Sequence, residues 1–399
     1  MMAFNSIHFR SQFPSLQCEG VYLDSAATAL KPLVMIEATK DYYQNVATVL
    51  RSKHTKALAL DAQYELARSL TADLINAQYS HEIVWTKGAT ESINLVAQGY
   101  ARKNLNIGDE IIVSELEHHS NLIPWIQVAQ QTGAKVIKWP IEIDGTLSVD
   151  CLQTLITPKT RIIAVTQMSN VTGFQPDIYE ISRIAHQHNA IIVVDGAQGI
   201  VHHPIDMQQY QIDFYAFSAH KLYAPTGLGV LYGKADLLEK MDCWQSGGKM
   251  LKSVSFTDFE PANIPYKFEA GTPNIAAVVG FYAVLDWLKS IDNFAATHYT
   301  INLVKDALIK LKTLPDINIH SVANSSLITF SIKDIHHDDI AILLAEQDIA
   351  IRSGELCAQP LMQALNCKGV IRASFMPYNS SMDVDKFILA IENAISILK

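Results

Sequence analysis

The amino-acid sequence predicts an α/β protein with a large domain built on a mainly parallel sheet and a smaller α+β C-terminal domain. Short apolar runs alternate with stretches of helical period from residue 82 onward, and the pattern becomes mixed after about residue 290. Near-continuous apolar strands between helices are typical of a sheet covered on both faces. The chain has 399 residues, of which 49% are hydrophobic, so it can form two or three domains with a large core.

The first half of the chain supplies most of the large domain. Residues 1–20 are expected to form a short arm before the folded body begins at residue 21. Helical periodicity predicts helices at 34–46, 58–75, 91–101, 122–131 and 178–188, with a polar loop at 48–56. Apolar runs predict strands at 82–86, 110–114, 135–139, 161–167 and 190–195. Ligands of such sheets lie at the carboxyl ends of the strands.

The second half completes the sheet and forms the smaller domain. Residues 214–232 predict two strands around a Gly/Pro-rich turn, and a long apolar helix is expected after Pro273. The polar segment 237–259 is compatible with either an active-site flap or an exposed insertion. For the smaller domain we predict helices at 299–311, 338–346 and 382–398, and strands at 325–332, 349–353 and 370–375.

Charge and cysteine content exclude several kinds of partner. The formal net charge is −9 and the basic residues are scattered, so neither nucleic acid nor a membrane surface is expected to bind. No run approaches the ~20 apolar residues of a membrane-spanning helix, and the N-terminus lacks the apolar core of a signal peptide. The five cysteines form no CxxC pair, which argues against a metal site or disulfide scaffold and favours a reducing, cytoplasmic setting.

Two residues after apolar runs indicate pyridoxal phosphate chemistry. Lys221 lies in FYAFSAHKLYAPTGLGVLY, and Asp195 ends the run AIIVVD. This cofactor needs a lysine amine for covalent attachment and a carboxylate beside its pyridine nitrogen. A single lysine after an apolar run is more often a solvated surface residue, so the prediction depends on the pair.

The segments DGAQ and SAHKLYAPTGLGVL resemble those of fold-type I pyridoxal-phosphate transferases of the class V aminotransferase family. The segment RSGELCAQPL narrows the resemblance to group II cysteine desulfurases, the group of SufS and CsdA, on the CsdA side. The resemblance covers essentially the whole chain. It implies a seven-stranded sheet in a large domain of residues 21–290, and a small domain of residues 1–20 and 291–399 that carries a catalytic cysteine loop. It also implies a homodimer.

The resemblance also implies which residues hold the cofactor. Ala89 and Thr90 begin a helix and would bind the phosphate, although Thr90 is also an ordinary N-cap residue. His118 is expected to stack on the cofactor ring and to exchange a proton with substrate, whereas His119 is expected to be structural. The implied cofactor ligands are Ala89, Thr90, His118, Asn170, Asp195, Gln198, Ser218, His220, Lys221 and, across a dimer interface, Thr272.

Cys357 is the implied catalytic nucleophile beside Lys221 and His118. An isolated cysteine is usually a small buried apolar residue, but Cys357 follows a Ser-Gly turn in a polar loop near Arg352, whose charge favours the thiolate. The other cysteines are expected to be structural. The implied substrate-binding residues are Arg372, Arg352 and Asn170. Arg372 suits the substrate carboxylate or a structural ion pair, and Arg352 binds substrate or positions the cysteine loop.

The resemblance implies conversion of L-cysteine to L-alanine, with a persulfide on Cys357 that a sulfur-acceptor protein of the SufE or CsdE type collects for iron–sulfur cluster assembly. The family usually has histidine directly before the cysteine, and this chain has Glu355 and Leu356 there. Two alternatives therefore stay open. One is a lyase of the same fold for selenocysteine or cysteine sulfinate, and the other is a weakly active scaffold for sulfur-carrier proteins.

Overall fold

A computed structural model describes residues 4–17 and 19–399 and contains the α/β layers that the sequence predicts. The helices are α1 Ser6–Ser11, α2 Leu33–Asp41, α3 Thr55–Leu74, α4 Ala89–Val96, α5 Arg102–Asn104, α6 Ile123–Thr132, α7 Val149–Leu155, α8 Ile178–Gln187, α9 Gly199–His202, α10 Met207–Tyr210, α11 Ala235–Lys240, α12 Ile275–Leu288, α13 Asn293–Leu311, α14 His337–Ala345, α15 Gln359–Ala364 and α16 Ser381–Leu398. The strands are β1 Val21–Tyr22, β2 Ile83–Thr86, β3 Glu110–Ser114, β4 Lys135–Trp139, β5 Thr160–Thr166, β6 Ile191–Asp195, β7 Phe214–Ser218, β8 Gly229–Gly233, β9 Leu251–Val254, β10 Phe259–Pro261, β11 Ile317–Ile319, β12 Leu327–Ile332, β13 Ile349–Ala350, β14 Arg352–Gly354 and β15 Val370–Ser374.

The larger sheet has seven strands in the order β2-β8-β7-β6-β5-β3-β4. Strand β8 is antiparallel to both of its neighbours, and the remaining pairs are parallel. Every strand except β8 therefore ends at the same edge of the sheet. The predicted mainly parallel, seven-stranded sheet is confirmed.

Helices cover both faces of this sheet, which explains why its strands are apolar along their length. In β5, Ile163 and Val165 belong to one hydrophobic core, and Ile162 and Ala164 belong to a second core on the opposite face. Successive side chains of a strand point to opposite faces, so a strand with both faces buried has no polar alternation.

A smaller antiparallel sheet, in the order β11-β12-β15-β14, carries the C-terminal part of the chain. Its core includes residues of α13, α14 and α16, together with Val21 and Leu23 from the N-terminal segment. Strand β1 pairs in parallel with β13, whereas Phe9 and Phe13 pack into the core of the larger sheet. The division into residues 21–290 against 1–20 and 291–399 stays a prediction.

Two segments differ in detail from the sequence-based elements. The polar segment 237–259 contains the end of α11 and most of the hairpin β9–β10, whose tip exposes Phe256 to solvent. The strand predicted at 349–353 is split, because β13 pairs with β1 while β14 pairs with β15. The apolar run at 349–353 is thus divided between two separate sheets, the β1–β13 pair and the smaller four-stranded sheet.

Within the described ranges, no helix has the combination of length and apolar character that crossing a membrane requires. Cys151, Cys243, Cys357 and Cys367 are free thiols, and Cys357 is exposed. Cys18, which the sequence leaves as structural, lies outside the described residues.

Candidate active site

A cavity of about 340 Å³ lies at the edge of the larger sheet where its parallel strands end. The opposite wall comes from the smaller sheet and its loops. The predicted site residues that line this cavity are Ala89, Thr90, His118, Asn170, Asp195, Gln198, Ser218, His220, Lys221, Arg352, Cys357 and Arg372. Thr272 lines a different cavity of the same chain. All the predicted residues except Thr272 therefore converge on one place.

Asp195 and Lys221 form the charged centre of the cavity. Asp195 is the last residue of β6, and its Oδ1 accepts a hydrogen bond from Ala197 N at 2.9 Å. Burial raises the pKa of Asp195, while the Ala197 hydrogen bond and the Lys221 charge oppose that rise. Burial lowers the pKa of Lys221 to about 8, although the Asp195 carboxylate acts in the opposite direction. An amine with this pKa is partly neutral near physiological pH and can act as nucleophile or base.

The N-terminus of α4 supplies hydrogen-bond donors on one side of the cavity. Ala89 N donates to Ser218 Oγ at 2.8 Å, and the Thr90 hydroxyl lies 2.7 Å from that of Ser120. Burial lowers the pKa of His220 to about 4, so its imidazole is neutral at physiological pH. Hydroxyl, imidazole and N–H groups at a helix N-terminus are well suited to a phosphate group.

His118, Gln198 and Asn170 lie around the middle of the cavity. His118 Nδ1 accepts from the backbone N–H of Ser120 at 3.1 Å, so in the neutral ring the proton is on Nε2. Burial lowers the pKa of His118 to about 4. Gln198 Nε2 donates to Ala26 O at 2.6 Å. Asn170 Nδ2 donates to the carbonyl of Leu356, the residue before Cys357, at 2.9 Å. Each of the two amide side chains thus holds a segment next to the cavity by a hydrogen bond to its backbone.

Two arginines and an aspartate form the wall from the smaller sheet. Arg372 is buried, and its Nη1 donates to Asn170 O at 2.9 Å and its Nη2 to Asp24 Oδ1 at 3.4 Å. Its Nε has no hydrogen-bond partner among the described residues. Arg352 pairs with the same carboxylate, with Nη2 2.8 Å from Oδ2. The three side chains carry a net charge of +1, which suits a ligand with one carboxylate.

Asp24 was not predicted as a site residue, although the sequence around it contains a pattern that could have identified it. It ends the apolar run VYLD, as Asp195 ends AIIVVD. Of the residues that follow Asp24 in the chain, Ala26 and Ala27 line the cavity. Ser25 is buried, with its hydroxyl 2.6 Å from that of Tyr378.

The loop with Cys357 follows β14. Leu356, which stands where the family usually has histidine, is 8% exposed and packs into the core of the larger sheet. The Glu355 carboxylate accepts a hydrogen bond from Gln359 Nε2 at 2.6 Å. His119, expected to be structural, contacts this loop, and its backbone N–H donates to Cys357 O at 2.8 Å. Leu356 and Glu355, the two residues that depart from the family pattern, therefore each contact other residues of the chain.

Comparison with known proteins establishes the family. Residues 21–387 match the class-V aminotransferase family, to which the chain belongs. Cysteine desulfurase CsdA of Escherichia coli (strain K12) is 51% identical over 399 residues, covering 100% of both chains. A probable cysteine desulfurase of Vibrio cholerae serotype O1 is 45% identical, also over 100% of both chains.

Solved structures agree with this assignment. The crystal structure of the Escherichia coli cysteine desulfurase CsdA in an S-sulfonic acid form aligns with a TM-score of 0.95, at 51% identity, over 99% of each chain. The apo structure of a cysteine desulfurase from Thermococcus onnurineus NA1 is 31% identical and has a TM-score of 0.95, over 99% of this chain and 100% of that one. The predicted fold type and family are confirmed.

The cofactor of this family is pyridoxal phosphate, and the chemistry of the cavity fits it. Lys221 offers an amine of lowered pKa, and Asp195 offers a buried carboxylate. The N-terminus of α4, with Thr90, Ser218 and His220 beside it, offers donors for the phosphate. The part that each residue takes in holding the cofactor remains a prediction.

Proposed function

We propose that the protein is a pyridoxal-phosphate-dependent cysteine desulfurase that converts L-cysteine to L-alanine and keeps the sulfur as a persulfide on Cys357. The observation that carries this proposal is that Cys357 lines the same cavity as Lys221 and Asp195. A lyase that merely releases a leaving group has no need of a thiol at that position. The relative that is 51% identical over the whole chain is itself a cysteine desulfurase, which supports the same conclusion.

Arg372 binds the substrate carboxylate in this proposal. It is buried and fixed by Asn170 O, and burial lowers its pKa to about 10, so it stays cationic at physiological pH. Its Nε is buried and has no hydrogen-bond partner among the described residues. A guanidinium held in this way orients an amino acid through paired hydrogen bonds.

Lys221 removes the proton from the substrate Cα. Its pKa of about 8 leaves a usable fraction of free amine near neutral pH. Bound pyridoxal phosphate supplies an electron sink for the pair left at Cα, which weakens the substrate Cβ–S bond. The neutral ring of His118 can donate a hydrogen bond from Nε2 into the cavity.

Cys357 accepts the sulfur. Its thiolate attacks the substrate sulfur, so a new S–S bond forms as the Cβ–S bond breaks, and the electron pair of that bond stays on the carbon skeleton. Protonation of the skeleton gives alanine. Atoms and electrons balance, because L-cysteine and the Cys357 thiol give L-alanine and the Cys357 persulfide.

A sulfur-acceptor protein of the SufE or CsdE type is proposed to collect this sulfur, with iron–sulfur cluster assembly as its destination. The exposure of Cys357 supports direct collection at the site. We further propose a cytoplasmic homodimer in which Thr272 of one subunit reaches the cofactor phosphate of the other. The separation of Thr272 from the cavity of its own chain supports this arrangement.

The test is alanine release from L-cysteine, with a thiol reductant present, by the wild type, Cys357→Ala and Cys367→Ala. Cys367 lies outside the cavity and is the matched control. We expect background activity for Cys357→Ala and wild-type activity for Cys367→Ala. Equal release by the wild type and Cys357→Ala would exclude Cys357 as the acceptor and favour a lyase that acts on selenocysteine or cysteine sulfinate. No release by the wild type from any of these substrates would favour the scaffold.

A further inference from the structure

The loop that carries Cys357 has a backbone conformation that its residues do not favour by themselves. Leu356 and Cys357 both have a φ of 54°, in the left-handed region. Neighbouring residues with a β-carbon seldom adopt this region together. Such a conformation persists only where surrounding contacts hold it. The contacts of this loop therefore determine where the Cys357 thiol lies.

Two segments that follow strands of the larger sheet hold the loop from outside. Asn170 Nδ2 donates to Leu356 O at 2.9 Å, and His119 N donates to Cys357 O at 2.8 Å. His119 makes a second contact, because its Nε2 accepts from the backbone N–H of Gln359 at 3.2 Å. His119 thus contacts the loop at the carbonyl of Cys357 and again two residues later, at Gln359.

The other hydrogen bonds of the loop are internal. Ala358 N donates to Glu355 O at 3.0 Å, and Gln359 Nε2 donates to Glu355 Oε2 at 2.6 Å. These bonds keep the loop compact but do not tie it to the larger sheet. Leu356 packs into the core of the larger sheet, and the hydrogen bonds from outside the loop come from Asn170, which lines the cavity, and from His119, which does not.

We propose that His119 is a positioning residue whose imidazole keeps the Cys357 loop in its left-handed conformation, with the thiol at the cavity. This inference rests on the proposed function, since it concerns the transfer of sulfur to Cys357. That transfer needs the thiolate in contact with the substrate sulfur, and a small displacement lowers such a rate strongly. His119 acts on Cys357 through Gln359 and through the backbone, without touching the cavity.

The test compares two half-reactions in the holoenzyme. Exchange of the substrate Cα hydrogen with deuterium from D₂O depends on Lys221, whereas alanine release depends in addition on Cys357. His119→Ala removes the imidazole acceptor and keeps the backbone N–H, while His119→Gln keeps an acceptor oxygen of similar reach. We expect His119→Ala to lower alanine release about 10- to 100-fold with Cα exchange unchanged, and His119→Gln to recover most of the loss.

His119→Asn provides a second loss variant, since its amide is too short to reach Gln359, and His188→Ala is an exposed histidine control away from the cavity. The positioning role is overturned if His119→Ala and His119→Asn release alanine at the wild-type rate, if His119→Gln is as slow as His119→Ala, or if exchange and release fall together. If the wild type exchanges no Cα hydrogen and releases no alanine, the proposed function fails, and the positioning role fails with it.

Discussion

Arg352 donates hydrogen bonds to both carboxylate oxygens of Asp24, from Nη2 to Oδ2 at 2.8 Å and from Nε to Oδ1 at 3.1 Å. The same carboxylate accepts from Arg372 Nη2 at 3.4 Å. Asp24 therefore neutralises one of two guanidinium charges at the place where the substrate carboxylate is proposed to bind. We expect Asp24 to compete with that carboxylate for the same donors.

The variant Asp24→Asn should bind L-cysteine more tightly. With the negative charge removed, two guanidinium groups attract one substrate carboxylate, and we expect KM to fall about fivefold, equivalent to about 1 kcal/mol, with a smaller change in kcat. Steady-state alanine release gives both constants. Asp144→Asn, a change at an exposed aspartate, is the control. A KM that rises in Asp24→Asn would show that Asp24 orients the arginines rather than competing for them.

The attachment of cofactor to Lys221 should have a pH midpoint near 8. Burial lowers the Lys221 pKa from its ordinary 10.5 to about 8, so the neutral amine predominates above that pH and the protonated amine below it. We expect the rate at which cofactor-free protein takes up pyridoxal phosphate to rise through pH 8 and then level off. Absorbance of the bound cofactor follows the reaction.

The variant Asp195→Asn tests the direction in which the Asp195 charge moves the pH midpoint of cofactor attachment. The Asp195 charge raises the Lys221 pKa, so its removal should move the midpoint to lower pH. A midpoint near 10 in the wild type would contradict the lowering of the Lys221 pKa by burial, and a midpoint that rises in Asp195→Asn would contradict the effect of the Asp195 charge.

Thr272 should contribute to cofactor binding only across the dimer. A hydrogen bond to a charged phosphate contributes about 1.5–3 kcal/mol, so Thr272→Ala should weaken pyridoxal phosphate binding at least tenfold. A heterodimer of Thr272→Ala and Lys221→Ala subunits would contain one intact site. Cofactor titration of heterodimers isolated with two affinity tags should therefore recover wild-type affinity at one site of two. Heterodimers as weak as the Thr272→Ala homodimer would argue against a contribution in trans.

The ion pair between Arg68 and Glu269 should be important for stability. Arg68 Nη1 lies 2.7 Å from Glu269 Oε1, with side-chain exposures of 1% and 3%, and Glu269 also accepts from Trp85 N at 3.0 Å. Glu269→Ala leaves a buried guanidinium without this partner, and we expect a loss of about 3–5 kcal/mol in the free energy of unfolding.

An exposed ion pair on the hairpin provides the comparison. Lys252 and Glu260 lie 3.1 Å apart with exposures of 49% and 59%, and Lys252→Ala should change stability by less than about 1 kcal/mol. Urea unfolding of both variants gives the two free energies. Similar losses for Glu269→Ala and Lys252→Ala would contradict the importance of burial.

The larger sheet and the residues at its edge could be predicted because their signals are local. Each strand is an apolar run, and the polar residue that follows it, such as Asp195, stands out in its own segment. Lys221 becomes informative once Asp195 is paired with it, since the cofactor requires both groups. Sequence order then places these residues together, because parallel strands end at one edge of a sheet.

The contacts of Asp24 and His119 could not be predicted in the same way. Both residues are recognised only through partners in the C-terminal part of the chain, Asp24 through Arg352 of β14 and His119 through Gln359 of α15. No short-range pattern shows such contacts between segments that are distant along the chain. The break between β13 and β14 has the same origin, because it depends on the partner of each strand.

The two ends of the chain are joined directly, since Ala26 N donates to Ser374 Oγ across 348 residues and Val21 pairs with Ile349. The ribosome adds Val21 long before Ile349, so Val21 has no strand partner until Ile349 has been synthesised. The same delay applies to the cavity wall that contains Cys357. A nascent chain that ends before residue 357 contains every strand of the larger sheet but lacks the Cys357 thiol. Formation of a reactive persulfide is thereby restricted to chains whose translation has passed Cys357.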